Sequence, residues 1–211
     1  MTTLNRILEN KIIAIIRGAD PNDVMKITEA LLNGGVTTIE VTMNSPKALS
    51  VIEKITEEFG DRVLVGAGTV LDAETARHAI LAGAKFILSP TVNSDTINLT
   101  KRYGAVSIPG AFTPTEILSA YENGGDIIKV FPGILGPSYI KDILGPLPQI
   151  PLLPTGGVDL ENIHAFFNAG AVGCGIGSAL VNSKQQVNEE YIKQLTSKAR
   201  QFVSKVKERS E

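Results

Sequence analysis

DIIKVFPG, residues 126–133, sets a lysine inside an otherwise apolar strand. At the strand period of two, Ile127, Lys129 and Phe131 share one face while Ile128 and Val130 share the other. Both faces read as buried, the pattern of a parallel strand covered on both sides, so Lys129 is expected to point into a sheet or barrel interior. Lysine is seldom buried without a partner. Desolvation disfavours the ammonium, and a neutral amine is a nucleophile toward carbonyl carbon. The plainer alternative is a lysine at the strand end that snorkels outward or pairs with a carboxylate.

Outward from this stretch, similar apolar runs recur along the chain. They are IIAIIR (12–17), TTIEVTM (37–43), RVLVGA (62–67), KFILSP (85–90), AVSIP (105–109), PLLPT (151–155) and AVGCGIG (171–177), which with DIIKVF (126–131) make eight strands. Helix-period segments lie between them, with cap residues before proline at Asp20-Pro21, Ser45-Pro46 and Thr113-Pro114, the last completed by Glu116 as a capping box. Ala48, Val51, Ile52, Ile55 and Phe59 fall on one helical face. Glycines recur at 34, 60, 83, 104, 124, 145 and 170, spaced by 20 to 26 residues, each fitting a left-handed cap that feeds the next strand. Eight strand–helix units in 211 residues predict a single (β/α)8 barrel over residues 1–211, with an extra N-terminal helix at 2–10 and an amphipathic last helix at about 187–208 packed outside. The competing architecture is an open doubly wound sheet, although no G-x-G-x-x-G with a downstream acid follows the first strand.

Composition narrows the function classes. Charge is mixed at net −2, without basic or acidic blocks, which argues against nucleic acid and anionic membranes as partners. MTTLNRILENK lacks the apolar core of a signal peptide and no apolar run approaches 18 residues, so a cytosolic protein is expected. The single cysteine, Cys174, reads as a small core residue. His78 and His164 fall in separate helices without ligand-spaced partners, so the expectation is chemistry with no metal and no cofactor.

In such a barrel the chemistry sits at the C-terminal ends of the strands. Those ends carry Arg17, then Glu40 and Thr42, then GAGT (66–69), Ser89-Pro90, Pro109-Gly110, Lys129, Thr155-Gly156-Gly157 and Gly175–Ser178. In TTIEVTM, Thr38, Glu40 and Thr42 face one way and Ile39, Val41 and Met43 the other, so the polar face is assigned to the lumen. The second and sixth strands lie across an eight-stranded barrel, which lets Glu40 and Lys129 meet at its mouth. A self-neutralising buried ion pair is the alternative, but two such groups at one mouth read as a site. The loops after the last two strands, T-G-G and G-x-G-S, are the usual phosphate site of these barrels. Their glycines admit backbone N–H groups to a phosphate, and a helix starting after Ser178 is expected to add its positive end.

EVTMNSP (40–46), GAGTVL (66–71), SP (89–90), KVFPG (129–133), PTGG (154–157) and GSAL (177–180) resemble the class I aldolases of 2-dehydro-3-deoxy-6-phosphogluconate and 4-hydroxy-2-oxoglutarate, in order and over nearly all the chain. The resemblance implies a homotrimeric (β/α)8 lyase that releases pyruvate and glyceraldehyde 3-phosphate from a phosphorylated keto acid. It implies Lys129 as the Schiff-base lysine and Glu40 as general acid/base. Thr69, Pro90, Phe131 and Thr155 then line the substrate site, and Gly156, Gly157, Gly177 and Ser178 the phosphate site. Many members carry an arginine for the substrate carboxylate where this chain has Asn44, which leaves Arg17 to hold it or, alternatively, to pair with Glu40. Asn44-Ser45-Pro46, GPSYIK (136–141) and Arg17 resemble the 6-phosphogalactonate aldolases, whereas Thr155 resembles the gluconate type. Rival classes on the same barrel are a sugar-phosphate isomerase or epimerase with Glu40 as base, and a binding protein with a silent site.

Overall fold

The expected strand runs become short parallel strands in a computed structural model that describes residues 1–208; residues 209–211 of the expected single unit lie outside it. The elements are α1 (Thr3–Asn10), β1 (Ile12–Ile16), α2 (Val24–Asn33), β2 (Thr38–Thr42), α3 (Ala48–Phe59), β3 (Leu64–Gly68), α4 (Ala73–Leu81) and β4 (Phe86–Leu88). They continue with α5 (Ser94–Arg102), β5 (Val106–Ile108), β6 (Gly110–Ala111), α6 (Pro114–Glu122), β7 (Ile128–Val130) and α7 (Gly136–Leu144), then β8 (Leu152–Pro154), α8 (Ile163–Asn168), β9 (Cys174–Ile176) and α9 (Glu189–Lys207).

Where eight strands were expected there are, among the described residues, nine segments, in two parallel sheets ordered β5-β4-β3-β2-β1-β9 and β6-β7-β8. The extra one arises at Pro109, which has no N–H to give to a ladder. Before it, β5 pairs with β4; after it, β6 pairs with β7, Gly110 opposite Lys129. A parallel bridge joins Thr155 to Gly175. The last strand lies beside the first, unlike a doubly wound sheet, in which strand order reverses in the middle.

Two apolar cores follow from the alternation of side chains. The larger lies between strands and helices and holds Ile39, Val41, Val65, Ile128 and Val130 against Ile27, Ile52, Ile55 and Ile117. The smaller holds the opposite strand faces, Ile13, Leu64, Phe86, Leu88, Val106, Ile108, Ile127 and Leu153, and is joined by Ile7 of α1. The N-terminal helix therefore stoppers the end of the interior at which the strands begin. Glu40, Lys129 and Thr155 fall on the same strand faces nearer the other end.

Thr113 and Glu116 form the expected capping box on α6. Asp20-Pro21 instead opens a turn in which Asp20 accepts from the Asn22 N–H, and α2 starts later, at Val24. Ser45-Pro46 does not cap α3 either: the cap position is Lys47, at φ +52°, and Ser45 is drawn away to Gly18 N–H and the Thr42 hydroxyl. Gly34 and Gly145 are not left-handed caps, having φ of −85° and −53°. Gly34 is small for another reason, since a Cβ there would overlap Ala199 where α9 crosses α2; Gly35 takes the positive φ, +88°.

Candidate active site

Glu40 stands in mid-strand, wholly buried. Its carboxylate lies across Gly68 on the neighbouring strand, where a Cβ would overlap Oε1. Both carboxylate oxygens are without a hydrogen-bond partner. Burial therefore pushes its pKa above the ordinary carboxylate value, an effect opposed by the positive charges of Lys129 first and Arg17 second.

Lys129, the middle residue of β7, is 2% exposed. It neither snorkels nor pairs with an acid: the two ion pairs among the described residues are Lys101–Asp126 and Lys205–Glu208. Its Nζ lies 5.1 Å from the centre of the Phe131 ring, close enough for a cation–π attraction. The strand alternation expected from DIIKVF is thus the observed one, with Ile127 and Lys129 facing inward and Ile128 and Val130 facing the helices.

A cavity of about 660 Å³ reaches Phe131, the ring beside the Lys129 amine, and is within the usual size of a small-molecule site. Arg17, Phe131 and Thr155 line it, together with Gly156, Gly157, Gly177 and Ser178. Seven sequence-expected residues thus share one cavity. Glu40 and Lys129, both buried, are outside its lining, as are Thr69 and Pro90, which are half-buried at the ends of β3 and β4. Thr69 has φ +56°, a costly backbone for a β-branched residue and one that clusters at functional sites. Thr155 is 4% exposed and its hydroxyl has no partner, lying against Gly175, where a Cβ would overlap it.

The glycine loop is tightly turned, but the expected helix beside it is missing. Gly156 and Gly157 take φ of +86° and +76° in succession, so only glycine sits there without strain. A Cβ at Gly133 would come within 2.6 Å of Gly156 O, which fixes how closely the FPG and TGG loops approach. Among the described residues no α-helix starts directly after Ser178. The Gly177 carbonyl accepts from Leu180 and Val181 N–H, both at 2.9 Å, in a single turn, and the next helix is α9 at Glu189. Asn182, Ser183 and the polar run after them give a helix there no apolar face to bury.

Sequence reasoning missed Asp159 and the segment Asn182–Lys184, which also line the cavity. Asp159 lies just past the T-G-G turn and Asn182–Lys184 past G-x-G-S, both in irregular segments where no periodicity reports which way a side chain faces. The role of Gly68 as a seat for Glu40 was hidden too, although GAGT itself was conspicuous.

A family model described as KDPG and KHG aldolase matches residues 4–196. The 2-dehydro-3-deoxy-6-phosphogalactonate aldolase of Escherichia coli (strain K12) is 36% identical over 178 residues, 83% of this chain and 87% of that one. A 2-dehydro-3-deoxy-phosphogluconate aldolase of Pseudomonas aeruginosa is 33% identical, covering 79% of this chain and 76% of the relative. Among solved structures, a native KDPGal structure superposes with a TM-score of 0.87 at 33% identity, over 93% of this chain and 94% of that one. The Legionella pneumophila KDPG aldolase, with pyruvate captured at low pH as a covalent carbinolamine intermediate, has a TM-score of 0.82 at 27% identity, over 97% and 98%.

Proposed function

Because this chain belongs to the KDPG and KHG aldolase family, we propose that it cleaves 2-dehydro-3-deoxy-6-phosphogluconate to pyruvate and glyceraldehyde 3-phosphate through a Schiff base on Lys129, and 4-hydroxy-2-oxoglutarate to pyruvate and glyoxylate. The observation that carries this reading is a buried lysine without an acidic partner among the described residues, next to Phe131, which lines a cavity with a glycine-walled end.

The chemistry runs as follows. The Lys129 amine adds to the C2 ketone, and loss of water gives a protonated imine. Glu40, ionised, takes the C4 hydroxyl proton as the C3–C4 bond breaks. The bonding electrons pass into the iminium, leaving an enamine, and the aldehyde departs. Proton return to C3 restores the imine, which water hydrolyses to pyruvate and free lysine. A raised Glu40 pKa suits both halves of this cycle, since proton transfer is most efficient near the working pH. Arg17 offers the substrate carboxylate two parallel donors, while Thr155 presents a hydroxyl that needs a partner. Thr69 and Pro90 border the pyruvate end; Gly156, Gly157, Gly177 and Ser178 receive the phosphate.

A closed (β/α)8 barrel is the finer form of the fold in this reading. It is supported by the single residue separating β5 from β6 and by the Thr155–Gly175 bridge between the edge strands of the two sheets. A homotrimer is the assembly proposed with it; one solved relative is a cage designed by fusing symmetric oligomeric domains, with a TM-score of 0.88 at 33% identity over 94% of this chain and 72% of that one. The isomerase and silent-site alternatives are set aside by the family. A second substrate reading, the galactonate epimer, is favoured by the Escherichia coli relative and by Asn44-Ser45-Pro46 beside Arg17. Relative kcat/KM on the two epimers decides between them.

The test of the lysine is direct. Borohydride with pyruvate should leave a reduced adduct that peptide mass spectrometry maps to Lys129, and Lys129→Ala should lose both adduct and cleavage. An adduct elsewhere, or cleavage surviving at a near wild-type rate, overturns the mechanism.

A further inference from the structure

A phosphate dianion entering the glycine-walled end of the cavity meets neutral donors only, from Gly156, Gly157 and Ser178. The helix that would have added positive potential after Ser178 is absent, and α8, whose first residue is Ile163, has only six residues. Hydrogen bonds from neutral groups leave the charge of the phosphate uncompensated, so a cation is called for.

The cavity lining contains two cations, Arg17 and Lys184. Arg17 follows β1 and has its own anion, the substrate carboxylate held over Lys129. We propose that Lys184 is the counter-cation of the substrate phosphate, an inference that rests on the aldolase reading above. Its backbone is fixed in a turn tied to α9. Asn182 N–H donates to the hydroxyl of Tyr191 on α9, and Asn182 Oδ1 in turn accepts from Lys184 N–H at 3.1 Å. Gln185 N–H closes the turn on Asn182 O at 3.2 Å.

Lys184 is exposed and makes no ion pair among the described residues. The one acid lining the cavity, Asp159, forms no ion pair with it among the described residues, and Asp159 Oδ1 accepts from Glu161 and Asn162 N–H in its own turn. The substrate carries one anion at each end, and this site has one cation for each.

The experiment compares wild type with Lys184→Gln, Lys184→Arg and Lys184→Glu. The ratio of KM for the phosphorylated substrate to KM for 4-hydroxy-2-oxoglutarate should rise about tenfold in Lys184→Gln, the scale of one charged contact. It should rise further in Lys184→Glu and return toward wild type in Lys184→Arg. Inorganic phosphate gives a readout independent of turnover: it should raise the melting temperature of wild type, and much less that of Lys184→Gln. An unchanged KM ratio together with unchanged phosphate protection overturns the proposal. If wild type cleaves neither substrate the aldolase reading fails, and the phosphate melt still decides the role of Lys184.

Discussion

Arg17 lines the cavity and its charge reaches Glu40, so the binding and proton-transfer roles proposed for it can be separated by substitution. It forms no ion pair with Glu40, whose oxygens are unpartnered, yet its charge helps hold the Glu40 pKa down. Arg17→Lys keeps the charge and loses the planar fork, so it should weaken pyruvate and substrate binding by roughly 1.5–3 kcal/mol, the scale of charged hydrogen bonds, while leaving the acid limb of the pH–rate profile in place. Arg17→Met removes both and should also move that limb to higher pH, because a carboxylate relieved of a neighbouring cation binds its proton more tightly. The check is the profile of kcat/KM for the three proteins. A limb that shifts in Arg17→Lys would mean direct pairing with Glu40.

At the scale of elements, the catalytic strands depend on what their neighbours lack. Glu40 on β2 can lie flat in the interior only because β3 offers Gly68 beside it. Gly68→Ala should therefore lower kcat by roughly 100-fold or more, the share of a displaced general base, with a smaller change in the affinity for pyruvate. Equal losses in both would show a collapsed site instead. Much of this was legible beforehand. A period of two in TTIEVTM and DIIKVF was enough to send Glu40 and Lys129 to one interior, since one residue of slip would have reversed every face. What was not legible depended on contacts between distant segments. Gly34 looked like a cap and proved to be clearance for Ala199 on a helix more than 160 residues later. Ser45 looked like an N-cap but is claimed by Gly18 and Thr42. Lys184 sits in an irregular loop, where no periodicity reports which way a side chain faces.

For the whole molecule, an apolar interior core at one end, stoppered by α1, and two buried ionisable groups toward the other imply that stability is given up for chemistry. The thermodynamic signature belongs to Glu40. Its folded-state pKa lies above its unfolded value, so the folded protein holds the Glu40 proton more tightly than the unfolded chain does. Its contribution to stability is thus fully present below the unfolded pKa and lost as pH rises through the window between the two. Above that window the fold carries a buried, unpartnered carboxylate. Glu40→Gln removes the charge and keeps the shape. It should raise the melting temperature near neutral pH, by about 2–4 °C for each kcal/mol recovered in a chain of this length, while lowering kcat roughly 100- to 10,000-fold. The two melting curves should converge as pH falls below the ordinary carboxylate range, where Glu40 is protonated in both states. A variant that melts lower than wild type at neutral pH would mean that attraction to Lys129 outweighs burial, and would put the Glu40 pKa below its ordinary value instead of above it.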